Sequence, residues 1–143
     1  MGFFSKLFKK GEEPQRSYTH GALGSMVWSQ ENEAWFGHYS GKKFSLAYDQ
    51  TETPPDFLLP YAVEVLSDSA WLASSLAEAK EVAKREQGEF YLAEIETLGW
   101  GCIHFYLHKG RRRIIADLEG GKDGRSWRIE YADRVCEGIG FDN

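Results

Sequence analysis

Between Gly41 and Gly88 the chain has no glycine, although it carries 15 in 143 residues. Glycine relieves the strained backbone of tight turns. A long stretch without it is poorly suited to successive short hairpins, so it is where an extended regular element is expected. Within it Leu58, Ala62, Val65, Leu72, Leu76, Ala79 and Ala83 recur at helical spacing. Ser67, Asp68 and Ser69 interrupt that series. Such residues favour caps over helix interiors, so a break into two pieces is expected there. Asp56 is the expected N-cap. Pro60 fits only in the first turn, where backbone N–H groups lack intrahelical partners.

The flanks alternate instead. Ala22 to Trp28, Ala34 to Tyr39 and Lys43 to Tyr48 are the expected strands before the helix. In the third, Phe44, Leu46 and Tyr48 share one face and Lys43, Ser45 and Ala47 the other, the pattern of a half-buried antiparallel strand. After Gly88, the spans Glu89 to Glu96, Gly101 to His108, Arg112 to Leu118 and Ser126 to Tyr131 read the same way. Turns are expected at Ser40-Gly41, at Lys109-Gly110 and across Gly120 to Gly124. The predicted fold class is α+β. An antiparallel meander of about six strands packs on one long or broken central helix, in β-β-β-α-β-β-β order. Residues 1–19 are expected to be an amphipathic segment and polar linker, and residues 20–143 a single domain.

A chain of this length buries roughly 70% of its unfolded surface, so it needs no metal or disulfide to fold. Five Trp, seven Tyr and nine Phe supply a core. The net charge of −5 disfavours nucleic acid as a partner, because phosphate binding needs a concentrated positive face. The two cysteines, Cys102 and Cys136, match no zinc or redox spacing and are too few for a secreted disulfide scaffold. They fit reduced thiols in the cytoplasm. No apolar run approaches the ~18 residues of a membrane span, and no secretory signal is evident.

Four groups of residues are candidates for function. Cys102, His104, Tyr106 and His108 fall on one strand face, where a cysteine with two histidines would be the makings of a zinc site, and Cys102 with His104 as base the makings of a small cysteine-dependent enzyme. Neighbours on such a face are ~6–7 Å apart and no further ligand is signposted, so the plainer reading is a partly wet strand face. Arg111 and Arg113 lie in a basic run suited to an acidic partner or simply to a solvated hairpin. Trp35, Phe36, His38 and Tyr39 crowd one hairpin, only one face of which the helix can bury. The other face would be an aromatic patch of the type that anchors protein interfaces. Finally Phe3, Phe4, Leu7 and Phe8 form an apolar stripe beside Lys6, Lys9 and Lys10. Burying four such side chains yields roughly 6–10 kcal/mol. Ordering ten residues costs roughly 1–2 kcal/mol each, so this stripe is at most a weak membrane-surface anchor or a docking segment. Glu94 with Glu96 and Asp117 with Glu119 pair carboxylates on strand faces without any catalytic signature. The glycines from Gly120 to Gly124 lack the lysine-serine ending of a phosphate loop, and no cofactor is expected.

The layout LGSMVW … AWFGHY … KFSLAY, a helical middle, then IHFYLHKGRRRIIADLEG … SWRIEY resembles small bacterial α+β domains of unknown function over residues 21–132. Some of those families are presumed toxin-immunity proteins. The resemblance implies binding rather than catalysis, in the cytoplasm or at the inner membrane face, with another protein such as a toxin as partner. It carries over no functional residue and leaves the oligomeric state open.

Overall fold

The computed structural model of the chain describes residues 16–47, 53–122 and 124–142. It corrects the expected architecture: among these residues the sheet has eight strands and is mixed, and three helices accompany it. The strands are β1 (Ser17–His20), β2 (Gly24–Ser29), β3 (Ala34–Tyr39), β4 (Lys42–Ala47), β5 (Gly99–His108), β6 (Arg111–Glu119), β7 (Ser126–Ala132) and β8 (Val135–Asp142). They lie side by side in chain order. Every pairing is antiparallel except β4 with β5, which is parallel. A parallel pair needs a crossover connection, and the helices α1 (Leu59–Leu66), α2 (Ser69–Gln87) and α3 (Leu92–Glu96) lie between those two strands. The molecule is thus two four-stranded meanders joined at one parallel seam.

Local chemistry accounts for most of these elements. Ser40 and Gly41 both have positive φ, as do Lys109 and Gly110, the two-residue turn whose twist matches the flanking strands. Pro60 sits in the first turn of α1, but Leu58 rather than Asp56 occupies the N-cap, without a side-chain bond. The chain then breaks at Ser67 and Asp68. Asp68 caps α2 by accepting from the Trp71 N–H at 3.0 Å. The inward residues of α2 are Leu72, Ser75, Ala79 and Ala83, small enough for close approach, and Ser75 Oγ lies 2.7 Å from the Tyr131 hydroxyl.

Three expectations fail for identifiable reasons. Glu89 to Glu96 is not a strand but a 3-10 turn followed by α3. Glu94 and Ile95 are adjacent and both buried, Ile95 in the core and Glu94 on Arg125 and Trp127, and one helical turn delivers both without a strand partner on either side. Ser17–His20, whose residues 17–19 fall in the expected linker, is an edge strand, and Tyr18 packs edge-on against Trp35. β8 was not expected at all. Its core-directed residues Cys136, Ile139 and Phe141 do not keep a period of two, because a bulge beside Glu130 and Tyr131 shifts the register.

One face of the sheet and the helices share a single core. Across it run Trp28, Trp35, Leu46, Phe105, Ile114 and Tyr131, in register from β2 to β7. Leu59, Tyr61, Val65, Leu72 and Ile95 belong to the same core from the helices. No helix among the described residues is long and apolar enough to cross a membrane.

Candidate functional site

Strand alternation sends every second residue to the other face of the sheet. Register aligns Val27, Phe36, Ser45, His104, Ile115 and Glu130 in one row there. Phe36 lines two open grooves on this face. One, of about 630 Å³, is bounded also by Ala34, Ser45, His104, Tyr106 and Ile115. The other, of about 500 Å³, includes Ser25, Val27, His38 and Lys43. The Lys43 ammonium stands 5.1 Å from the centre of the Phe36 ring, and His104 meets that ring edge-on at 6.3 Å. An aromatic centre flanked by cationic and polar side chains combines apolar contact with directional bonding.

A polar relay lies in this row. Ser45 Oγ is 2.6 Å from His104 Nδ1, and His104 Nε2 is 2.8 Å from Asp117 Oδ2. A neutral ring satisfies both contacts: Nε2–H donates to Asp117 and Nδ1 accepts from the Ser45 hydroxyl. Serine, histidine and aspartate in sequence are the components of a hydrolytic triad. Here the serine is 1% exposed, beyond reach of a substrate. It also sits within the β3–β4–β5 ladder, where the neighbouring backbone is committed to strand pairing rather than to an oxyanion hole. Cys102 Sγ is 3.7 Å from His104 Nδ1. Burial pushes that thiol up to about 11, so it is protonated and a poor nucleophile at neutral pH. The zinc reading loses its geometry as well. Both His104 nitrogens are occupied, His108 is exposed roughly 13 Å along the strand, and no group of three ligands converges among the described residues.

The other candidates disperse. Trp35, grouped with the interface set from sequence, is a core residue with 0% exposure, because its neighbours Trp28 and Leu46 face the helices. Phe36 and His38 take the open face, and Tyr39 packs partly against the core. Arg111 is exposed at the β5–β6 turn, whereas Arg113 is engaged by Glu137. Phe3, Phe4, Leu7 and Phe8 lie outside the described residues.

The paired carboxylates also part company. Glu94, on α3, is buried and accepts from Arg125 Nη2 at 2.6 Å, Arg125 Nε at 3.0 Å and Trp127 Nε1 at 2.5 Å. The Arg125 bonds, against the cost of burial, bring its carboxyl down to about 2. Glu96 instead pairs with Lys84 at 2.5 Å. The glycine-rich turn proves to be a packing device. Gly120 has φ +108, and a Cβ there would lie 2.5 Å from the Thr97 carbonyl oxygen. Ser45 and Asp117 are the candidate-site residues that no spacing rule brings together. They join His104 only through the β4–β5 and β5–β6 pairings.

No protein-family model matches the chain, and no curated protein or solved structure matches it. The functional reading therefore rests on the geometry of this face.

Proposed function

We propose that the chain is a cytoplasmic protein-binding domain that meets its partner with the open sheet face around Phe36. The observation that carries this reading is the position of Phe36 itself. It is a large aromatic residue shared by two adjoining open grooves, held upright by His104 and Lys43 rather than folded into the core. Aromatic anchors at the centre of a groove, ringed by polar groups, dominate protein interfaces. The Ser45–His104–Asp117 relay supports binding over catalysis. Its serine is closed off, and its bonds fix the imidazole as part of the groove floor. The resemblance of the strand sequences over residues 21–132 to presumed immunity proteins makes a bacterial toxin the specific form of partner proposed. Copurification from the source cells tests the reading, with tagged wild type and Phe36→Glu compared. A partner retained by the wild type and lost by the variant is the expected result. The same partner retained equally by both, or none retained by either, refutes the assignment.

A further inference from the structure

The far edge of the sheet presents a second surface, independent of the Phe36 face. β8 is the terminal strand, and among the described residues nothing pairs with its outer side. An open edge exposes a row of N–H and C=O groups, which proteins ordinarily protect with charge, proline or brevity. β1, at the opposite edge, has only four residues. β8 has eight, and neither lysine nor proline among them. Its two acids are drawn back over the open face. Glu137 goes to Arg113, and Asp142 to Arg128 at 2.5 Å. Val135, at 69% exposed, is left uncovered.

On the helix side, a groove of about 320 Å³ runs along this edge. Its walls are Glu78, Val82 and Glu86 of α2 and Val135 to Gly138 of β8, with Arg134 at one end. Arg134 is committed elsewhere, to Asp68 at 2.7 Å and to Glu64. Among the described residues no cation pairs with Glu78 or Glu86. Burial first, and then Glu78, Glu86 and Glu137, raise the Cys136 thiol between them. The groove thus has an apolar floor, an acidic rim and a free strand edge, the three parts of a site for strand addition.

We propose that an extended segment of another protein, with basic, apolar and basic side chains at every second position, adds to β8 as the next strand of the sheet. Main-chain bonds to the edge supply affinity. On the face turned toward α2, an apolar side chain rests on Val82, and lysine or arginine two residues to either side of it meets Glu78 and Glu86. A second copy of this chain does not fit as well, since two-fold pairing of β8 with itself brings the two acidic rims together.

The probe is a short acetylated peptide with lysine, valine and lysine at every second position and threonine between them, titrated into the full chain and followed by backbone amide NMR. The expected result is saturable shifts confined to Val135–Asp142 and the Glu78–Glu86 face. Glu78→Lys/Glu86→Lys, altered at exposed helix positions, should weaken binding about tenfold. Val135→Lys should weaken it too, and the same peptide with glutamate in place of lysine should not bind. Phe36→Glu should leave peptide binding unchanged, which separates this site from the Phe36 face. No saturable shifts, shifts centred on Phe36, or equal affinity for the doubly reversed variant would overturn the proposal. So would a dimer of the chain alone that Val135→Lys dissolves, because it assigns the edge to a second copy.

Discussion

Replacing Glu94 by glutamine isolates the charge of the buried carboxylate from its shape. The side chain is 5% exposed and accepts hydrogen bonds from Arg125 and Trp127. Glutamine keeps the volume and one carbonyl acceptor for the Trp127 N–H, but it imitates the protonated acid. The carboxyl falls from 4.5 to about 2 in the folded chain. At 1.36 kcal/mol per unit this depression contributes about 3 kcal/mol at neutral pH. Because the folded value is the lower one, the contribution is complete above about 4.5 and disappears as pH falls through about 2. At pH 3 about 1 kcal/mol should remain. Glu94→Gln is therefore expected to lose about 3 kcal/mol at pH 7 and only about 1 kcal/mol at pH 3. Urea unfolding of both proteins, followed by circular dichroism at the two pH values, measures this directly. A loss below about 1 kcal/mol at pH 7, or a loss identical at both pH values, would refute the claim that the ionised carboxylate pins α3 to the β6–β7 turn.

Two further perturbations probe other parts of the structure. Gly120→Ala should cost about 2 kcal/mol or more, from positive φ and the approach to the Thr97 carbonyl. Gly99→Ala, where a Cβ meets nothing within 4 Å, should stay within about 0.5 kcal/mol, and equal melting shifts for the two would contradict the close-contact argument. In a Cys136→Ser background, Cys102 should react with iodoacetamide far more slowly than a free thiol at pH 7, and accelerate as pH approaches about 11. Reaction at the rate of an unhindered thiol would restore Cys102 as a candidate nucleophile.

The legible parts of this fold are those set by neighbours in sequence. The glycine-free middle holds α1 and α2, the Ser67–Ser69 interruption separates them, and the turns at Ser40-Gly41 and Lys109-Gly110 are where their residues require them. What sequence patterns miss depends on distant partners or on broken periodicity. Ser17–His20 is polar and becomes a strand only because β2 offers it a ladder. β8 conceals its inward residues behind a bulge. Residues 89–96 mimic alternation because Tyr91 and Ile95 are separated by an even number, yet that spacing is also one helical turn. Within the candidate site, His104 and its wet strand face follow from period two. The partnership of His104 with Ser45 does not, since it arises only when two strands flanking the whole helical region lie parallel.

That parallel pairing also explains why the site lies where it does. Within each meander, strands pair with their chain neighbours, so closing those contacts requires only short loops. The β4–β5 pairing instead closes over all three helices. On the core side Phe44 beside Ile103 and Leu46 beside Phe105 hold it by burial. On the open side no helix among the described residues supplies such cover. There the Ser45 hydroxyl, 1% exposed, would be costly without a partner, and His104 satisfies it from across the junction. Phe36 then leans on His104, and Tyr106 borders the same groove from β5. A partner seated on Phe36 and Tyr106 grips both meanders at once. Its binding energy adds to the one contact that is costliest in loop entropy, whereas a ligand at the β8 edge touches only the second meander and α2.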